Sequence, residues 1–230
     1  MFEVDRRDGV ARLAHDGARW LSTSWDGGYR RADAVYNVTV PEGFERTDLD
    51  AYREQRLAEA GFASGPALLT GVEMAHARCA RSGPVTVIAT AGVSNPAVLP
   101  MGDRGATGER PVSDDWRPGT VNLLVGVCRA LDDGALATLL ATAVEAKATT
   151  LLDVAGVPGT TSDAALVGCV PGARPAEFAG SATDVGAATR ACVRDTVRAS
   201  LAARYDDEPP TVEEAPYGVV TDRQTDVFQP

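Results

Sequence analysis

The sequence predicts an α/β or α+β domain, layered, with helices packed on a mixed β-sheet. Three observations predict it. The segments "PVTVIATAGV" (84–93) and "GTVNLLVGVCRAL" (119–131) are nearly continuous in apolar residues, so they read as central strands covered on both faces. Two long helical segments, starting at Asp133 and Asp184, follow in the C-terminal half. Strands come first and then alternate with helices, an order that suits layers around one core. A chain of 230 residues with 44% hydrophobic content is long enough for one such domain. It is read as a single domain over 1–205 with an acidic, Pro-containing tail at 206–230.

Taken in order, "VARLAHDGARWLSTS" reads as two strands in a hairpin around Asp16-Gly17, a dipeptide suited to tight hairpin turns. "DGG" at 26–28 breaks the chain before the strand "ADAVYNVTV". Residues 48–60 carry a cap and helix formers that end at Gly61. "GPALLTGVEMAHARCARSG" reads as a second helix, with Leu68, Leu69, Val72, Met74 and Ala75 roughly at helical spacing. The loop from Met101 to Pro118 is polar and rich in Gly and Pro, and its length suits a flap over a ligand. A helix then runs from Asp133 to about Val154, "TTSDAALVGCV" is a strand, and "DVGAATRACVRDTVRASLAARY" is the last helix. The tail is left without assigned structure.

Composition excludes several functions. A net charge of −10 and a pI near 4.7 oppose nucleic acid as a partner. There is no run of about 18 apolar residues and no apolar core of a signal peptide at the N-terminus, so no membrane partner and a cytoplasmic location are expected. Cys79, Cys128, Cys169 and Cys192 include no C-x-x-C pair, and His15 and His76 are the only histidines. No metal site is expected from that set.

Lys147 is the only lysine, against 21 arginines. At 100° per residue it falls within about 60° of Leu136, Leu140, Ala143, Leu151 and Val154, on the apolar stripe of its helix. Glu145 falls on the opposite side, so the two need different partners. A lysine on an apolar stripe must reach water, pair with a carboxylate such as Asp163, or lose its proton. Arginine could carry the charge, but it lacks a compact head that can be deprotonated.

Glycine-rich turns at "TAGVSNP" (90–96), "PGTVN" (118–122) and "PGTTSD" (158–163) place short polar side chains at strand ends, where backbone and side chain can meet a ligand. Phosphate-loop and dinucleotide glycine patterns are missing.

In this order, "SWDGGYRRADAVYNVTVP", "TAGVSNP", "GTVNLLV", "EAKATTLLD" and "GTTSDAALV" resemble the adenosylcobinamide amidohydrolase family of corrinoid salvage, over about residues 20–205. The resemblance implies hydrolysis of the amide joining the aminopropanol arm to the corrin ring, giving adenosylcobyric acid and 1-amino-2-propanol. The substrate is then a small corrinoid whose cobalt belongs to it, with no cofactor in the protein, and a homo-oligomer is compatible with this reading. The family pattern falls on Thr90, Gly92 and Asn95, on Gly119, Thr120 and Asn122, on Glu145 and Lys147, and on Thr160, Thr161 and Asp163. Ser162 and Pro96 depart from it.

An amide hydrolase needs a nucleophile, donors for the tetrahedral oxyanion and an acid for the departing amine. Lys147, Glu145 and Asp163 are the candidate acids and bases. The nucleophile is a water or a hydroxyl such as that of Thr161. Asn122 and backbone amides near Gly92 or Gly119 are candidate oxyanion donors, and Thr90, Gly92, Asn95, Gly119, Thr120, Thr160 and Ser162 are candidate substrate contacts. Two other readings use the same residues: a corrinoid-binding protein without turnover, and a Thr- or Ser-dependent amidase of another substrate.

Overall fold

The computed structural model describes residues 1–101, 119–206, 208–212, 214–215, 217–221 and 223–229. The expected flap, from residue 102 onward, lies outside them. Alternation along the strands dictates a four-layer arrangement. In β8 (Val85–Ala91), β10 (Val121–Val127) and β11 (Ala164–Cys169), Val87, Leu123, Val125 and Val167 point one way, and Ile88, Leu124 and Leu166 the other. The first set packs under α2 (Asp133–Ala155) and α3 (Asp184–Arg204). The second set meets a second sheet, and that sheet's far face is covered by α1 (Leu49–Glu59) through Tyr52 and Leu57.

The helix-bearing sheet has six strands in the order β4 (Gly28–Arg31), β3 (Arg19–Ser22), β11, β10, β8, β7 (Arg78–Ser82). Its β10–β11 pair is parallel and the others are antiparallel. The second sheet has the order β1 (Glu3–Arg7), β2 (Val10–Ala14), β5 (Ala34–Thr39), β6 (Ala67–Thr70), with β5 and β6 parallel. The fold is therefore α+β, a single domain with two mixed sheets where the sequence suggested one. The tail, left unassigned, supplies β12 (Val219–Val220), which pairs with β9 (Ala97–Val98).

Two expectations are corrected. β2 and β3 both exist, but they belong to different sheets and do not form a hairpin. The hairpin is β1–β2, around Asp8-Gly9, where both residues have positive φ (45° and 76°), as the tight turn requires. At Asp16-Gly17 only Gly17 does, with φ of 63°, and the turn passes the chain between layers. The expected helix at 65–83 is β6, a single 3₁₀ turn at Met74–His76, and β7. Short apolar runs do not separate helix from strand, and pairing with β5 and β8 decides here.

The helices end where local chemistry stops them. Asp132 accepts the Ala135 N–H (2.7 Å) at the start of α2, and Gly156, at φ of 68°, terminates it. Thr183 caps α3 by accepting from Gly186 N–H (3.0 Å). By length and composition α2 could cross a membrane, yet Leu136, Leu139, Ala143 and Leu151 are buried in the core beneath it.

Candidate active site

The C-terminal half of α2 carries Lys147 inward, and the turn before β11 brings Asp163 to meet it. Their side chains form an ion pair and are only 9% and 12% exposed. Asp163 Oδ2 also accepts the Thr160 N–H (3.1 Å), while Oδ1 accepts the Val121 N–H (2.8 Å) and the Thr160 hydroxyl. Four donors thus converge on the four lone-pair positions of one carboxylate. The pair ties α2, the start of β10 and the 158–163 turn into one unit. Gly159 makes this possible, because a Cβ there would lie 2.7 Å from Asp163 Oδ2 and 3.0 Å from Lys147 Nζ.

Beside the pair, the Thr120 and Ser162 hydroxyls share a hydrogen bond of 2.9 Å. Gly119 passes so close to the next strand end that a Cβ would sit 2.7 Å from Ser94 N and 2.8 Å from Asn95 N. Asn95 O accepts the Thr161 N–H (3.1 Å), and Ala97 N–H donates to Gly159 O (2.9 Å). The three glycine-rich turns of the sequence therefore meet at one place, at the ends of β8, β10 and the entry to β11.

Thr120, Ser162, Asp163 and Ala164 line one wall of a cavity of about 690 Å³. Leu68 and Leu69 of β6 line it from the other sheet, and Trp25, Phe44 and Leu49 add apolar surface. A space of this size, mostly apolar with a few convergent polar groups, suits a small molecule. Lys147 is not among the lining residues and reaches the cavity wall only through Asp163.

The chain that builds this constellation has known relatives. A model of the adenosylcobinamide amidohydrolase family matches residues 2–209. An adenosylcobinamide amidohydrolase of Halobacterium salinarum is 56% identical over 233 residues, covering all of both chains. The chain belongs to the adenosylcobinamide amidohydrolase family. It is accordingly a hydrolase acting on an amide, in corrinoid salvage. A second family member, from Methanosarcina mazei, is 26% identical over 80% of this chain and 90% of its own. Among solved structures, the PH0078 protein from Pyrococcus horikoshii OT3 aligns with a TM-score of 0.42 and 10% identity over 87% of this chain and 79% of that one.

Within this amidohydrolase, the fold gathers Lys147, Asp163, Thr160, Thr120 and Ser162, with Gly119 and Asn95 directly behind them. Other candidates lie elsewhere. Glu145 is on the outer face of α2, where its carboxylate pairs with Arg190 of α3. Thr161 is exposed, and Gly92 is packed against Val72 and Arg204. Thr90 and Asn122 are fully buried between the sheets, where Asn37 Nδ2 donates to Thr90 Oγ1 (2.8 Å). Asn122 Nδ2 donates to Asn37 Oδ1 and to Leu69 O (both 2.9 Å), so neither of its N–H groups is left for an oxyanion. Sequence reasoning missed Asn37, Gly159, Trp25 and Phe44. An asparagine inside the apolar strand "AVYNVTV" was a usable signal, because a buried amide must find partners.

Proposed function

We propose that the protein hydrolyses the amide linking the aminopropanol arm of adenosylcobinamide to its corrin ring, releasing adenosylcobyric acid and 1-amino-2-propanol. The single observation that carries the placement is the buried Lys147–Asp163 pair whose carboxylate forms a wall of the cavity. The scissile carbonyl lies against Thr120, Ser162 and Asp163, with the corrin body on Trp25, Phe44 and Leu49. Water adds to the carbonyl carbon, the C–N bond breaks, and the amine leaves with a proton.

The Thr120–Ser162 hydroxyl pair holds the attacking water, since both line the cavity and Thr161 does not. Lys147 holds the saturated Asp163 carboxylate from behind, so that the pair sets the electrostatic field at the cavity wall, and the proton that leaves with the amine comes from the attacking water through the Ser162 hydroxyl. Asn37, Thr90 and Asn122 fix the floor under this wall and make no contact with substrate. No resident cofactor takes part, and the cobalt arrives with the substrate.

Incubating the protein with adenosylcobinamide and assaying 1-amino-2-propanol by mass spectrometry tests the reading. Release of the amine is expected, together with a loss of at least about a hundredfold in Ser162→Ala. A quenched acyl adduct on Ser162 would replace the water route with a covalent one. Dialysis against a chelator is expected to leave the rate unchanged, and activity lost there and restored by zinc would overturn the metal-free reading.

A further inference from the structure

The cavity has one wall whose position the catalytic cluster does not explain. Trp25 lies in the β3–β4 turn, 40% exposed, and lines the cavity together with Phe44 and Leu49. A large apolar ring standing that far into solvent needs something to hold it. The segment is fastened at one end to β11: Thr23 N–H donates to Ala165 O (3.0 Å) and Thr23 Oγ1 accepts the Ala165 N–H (2.9 Å), two residues from Asp163. The turn itself is tight, since a Cβ on Gly27 would lie 2.8 Å from Ser22 O and 2.9 Å from Ser24 O.

At the other end stands Arg53 of α1, whose side chain is 14% exposed. Its guanidinium lies 3.7 Å from Asp26, the residue after Trp25, and 3.2 Å from Asp50. Asp50 in turn accepts the Trp25 Nε1–H at 3.3 Å. Arg53 therefore holds both anchors of the ring, one through the chain and one through its hydrogen-bond acceptor. Arg30 also pairs with Asp26, but from within the turn's own hairpin. Without Arg53, Asp26, Asp50 and Glu54 would crowd as like charges between the turn and α1. Both contacts are made by one guanidinium nitrogen, Nη1, while Nε and Nη2 donate to Glu54 and fix the plane that aims it; a lysine could balance the charge but lacks this second hold.

We infer that Arg53 is a positioning residue that sets Trp25 as the flat wall against which the substrate's macrocycle lies, and so determines corrinoid affinity rather than the rate of amide cleavage. The inference rests on the cavity being the corrinoid site. Because Thr23 ties the same segment beside Asp163, a ring placed on Trp25 is in register with the carboxylate that faces the scissile bond.

The test is a mutant cycle read by cobinamide dissociation constant and by kcat and KM on adenosylcobinamide. Arg53→Met is expected to weaken cobinamide binding and raise KM about tenfold with kcat within about twofold, and Arg53→Lys to fall between it and the parent. Trp25→Ala should match Arg53→Met, and the double variant should be no worse than Trp25→Ala, because Arg53 acts through the ring. Trp25→Phe, which keeps a flat ring, should recover most of the affinity. Effects of the two substitutions that multiply, or an Arg53→Met variant that loses kcat at unchanged KM, would overturn the inference while leaving the hydrolase reading intact. A parent protein that neither binds cobinamide nor releases the amine would overturn both.

Discussion

A lone lysine among 21 arginines finds its reason in the space around it. The ammonium of Lys147 is held between the Asp163 carboxylate and the backbone of Gly159, where even one added methyl would come within 3.0 Å of Nζ. A guanidinium is wider and planar, so arginine is excluded here by size. The sequence placed Lys147 on the apolar stripe and named Asp163 as a partner, but spacing alone could not show that Asp163 is saturated by Thr160 and Val121 as well. Removing one member of the pair strands the other charge. Lys147→Met and Asp163→Asn are each expected to cost about 3–5 kcal/mol in urea unfolding and to abolish turnover. The double variant Lys147→Met/Asp163→Asn should remain inactive yet regain part of that stability, because no charge is stranded and the carbonyl oxygen of the introduced amide can still accept the Val121 N–H, although its NH2 cannot accept the Thr160 N–H. If it recovers activity, the pair is structural only. Gly159→Ala should lose about 1–3 kcal/mol by forcing the pair apart.

At the scale of elements, periodicity located the strands and helices of the C-terminal half because each is long and sits in the core. β8, β10, α2 and α3 all fall within a few residues of their expected limits. The N-terminal half was less legible for a physical reason: its strands are 4 to 6 residues long, and which sheet they join depends on partners far along the chain. β3 pairs with β11, about 145 residues later, and nothing local to "DG" at 16–17 could announce that. The buried Asn37–Thr90–Asn122 chain is the polar seam between the sheets, and it too joins residues remote in sequence. Asn37→Ala should cost about 1–3 kcal/mol in chemical denaturation by leaving the Asn122 N–H and Thr90 hydroxyl short of partners. A variant as stable as the parent would mean that water replaces the amide there. The two sheets also meet through Trp20 and Phe2, whose rings stack edge to face at 5.5 Å against Gly168 and Gly126.

For the molecule as a whole, the cavity belongs to neither sheet alone. Leu68 and Leu69 come from the four-stranded sheet, Thr120, Asp163 and Ala164 from the six-stranded one, and Leu49 from α1. A corrinoid seated there spans three of the four layers, so the site exists only while the sheets are packed on each other. Binding must then stabilise the entire domain, by an amount set by mass action: about 2.7 kcal/mol at a free ligand concentration of 100 times Kd. For a domain of this size, that corresponds to a rise of roughly 5–10 °C in the unfolding midpoint. The measurement is differential scanning calorimetry of the Ser162→Ala variant, slow enough in turnover to hold the substrate, with and without adenosylcobinamide. One transition is expected in both scans, displaced as a unit. Disruption of the inter-sheet seam by Gly168→Ala, whose Cβ would lie 2.2 Å from the Trp20 ring, should lower both the midpoint and the size of the ligand shift, although Gly168 does not line the cavity. Two resolved transitions, with ligand moving only one, would show instead that the sheets unfold separately and that the cavity is held by a single layer.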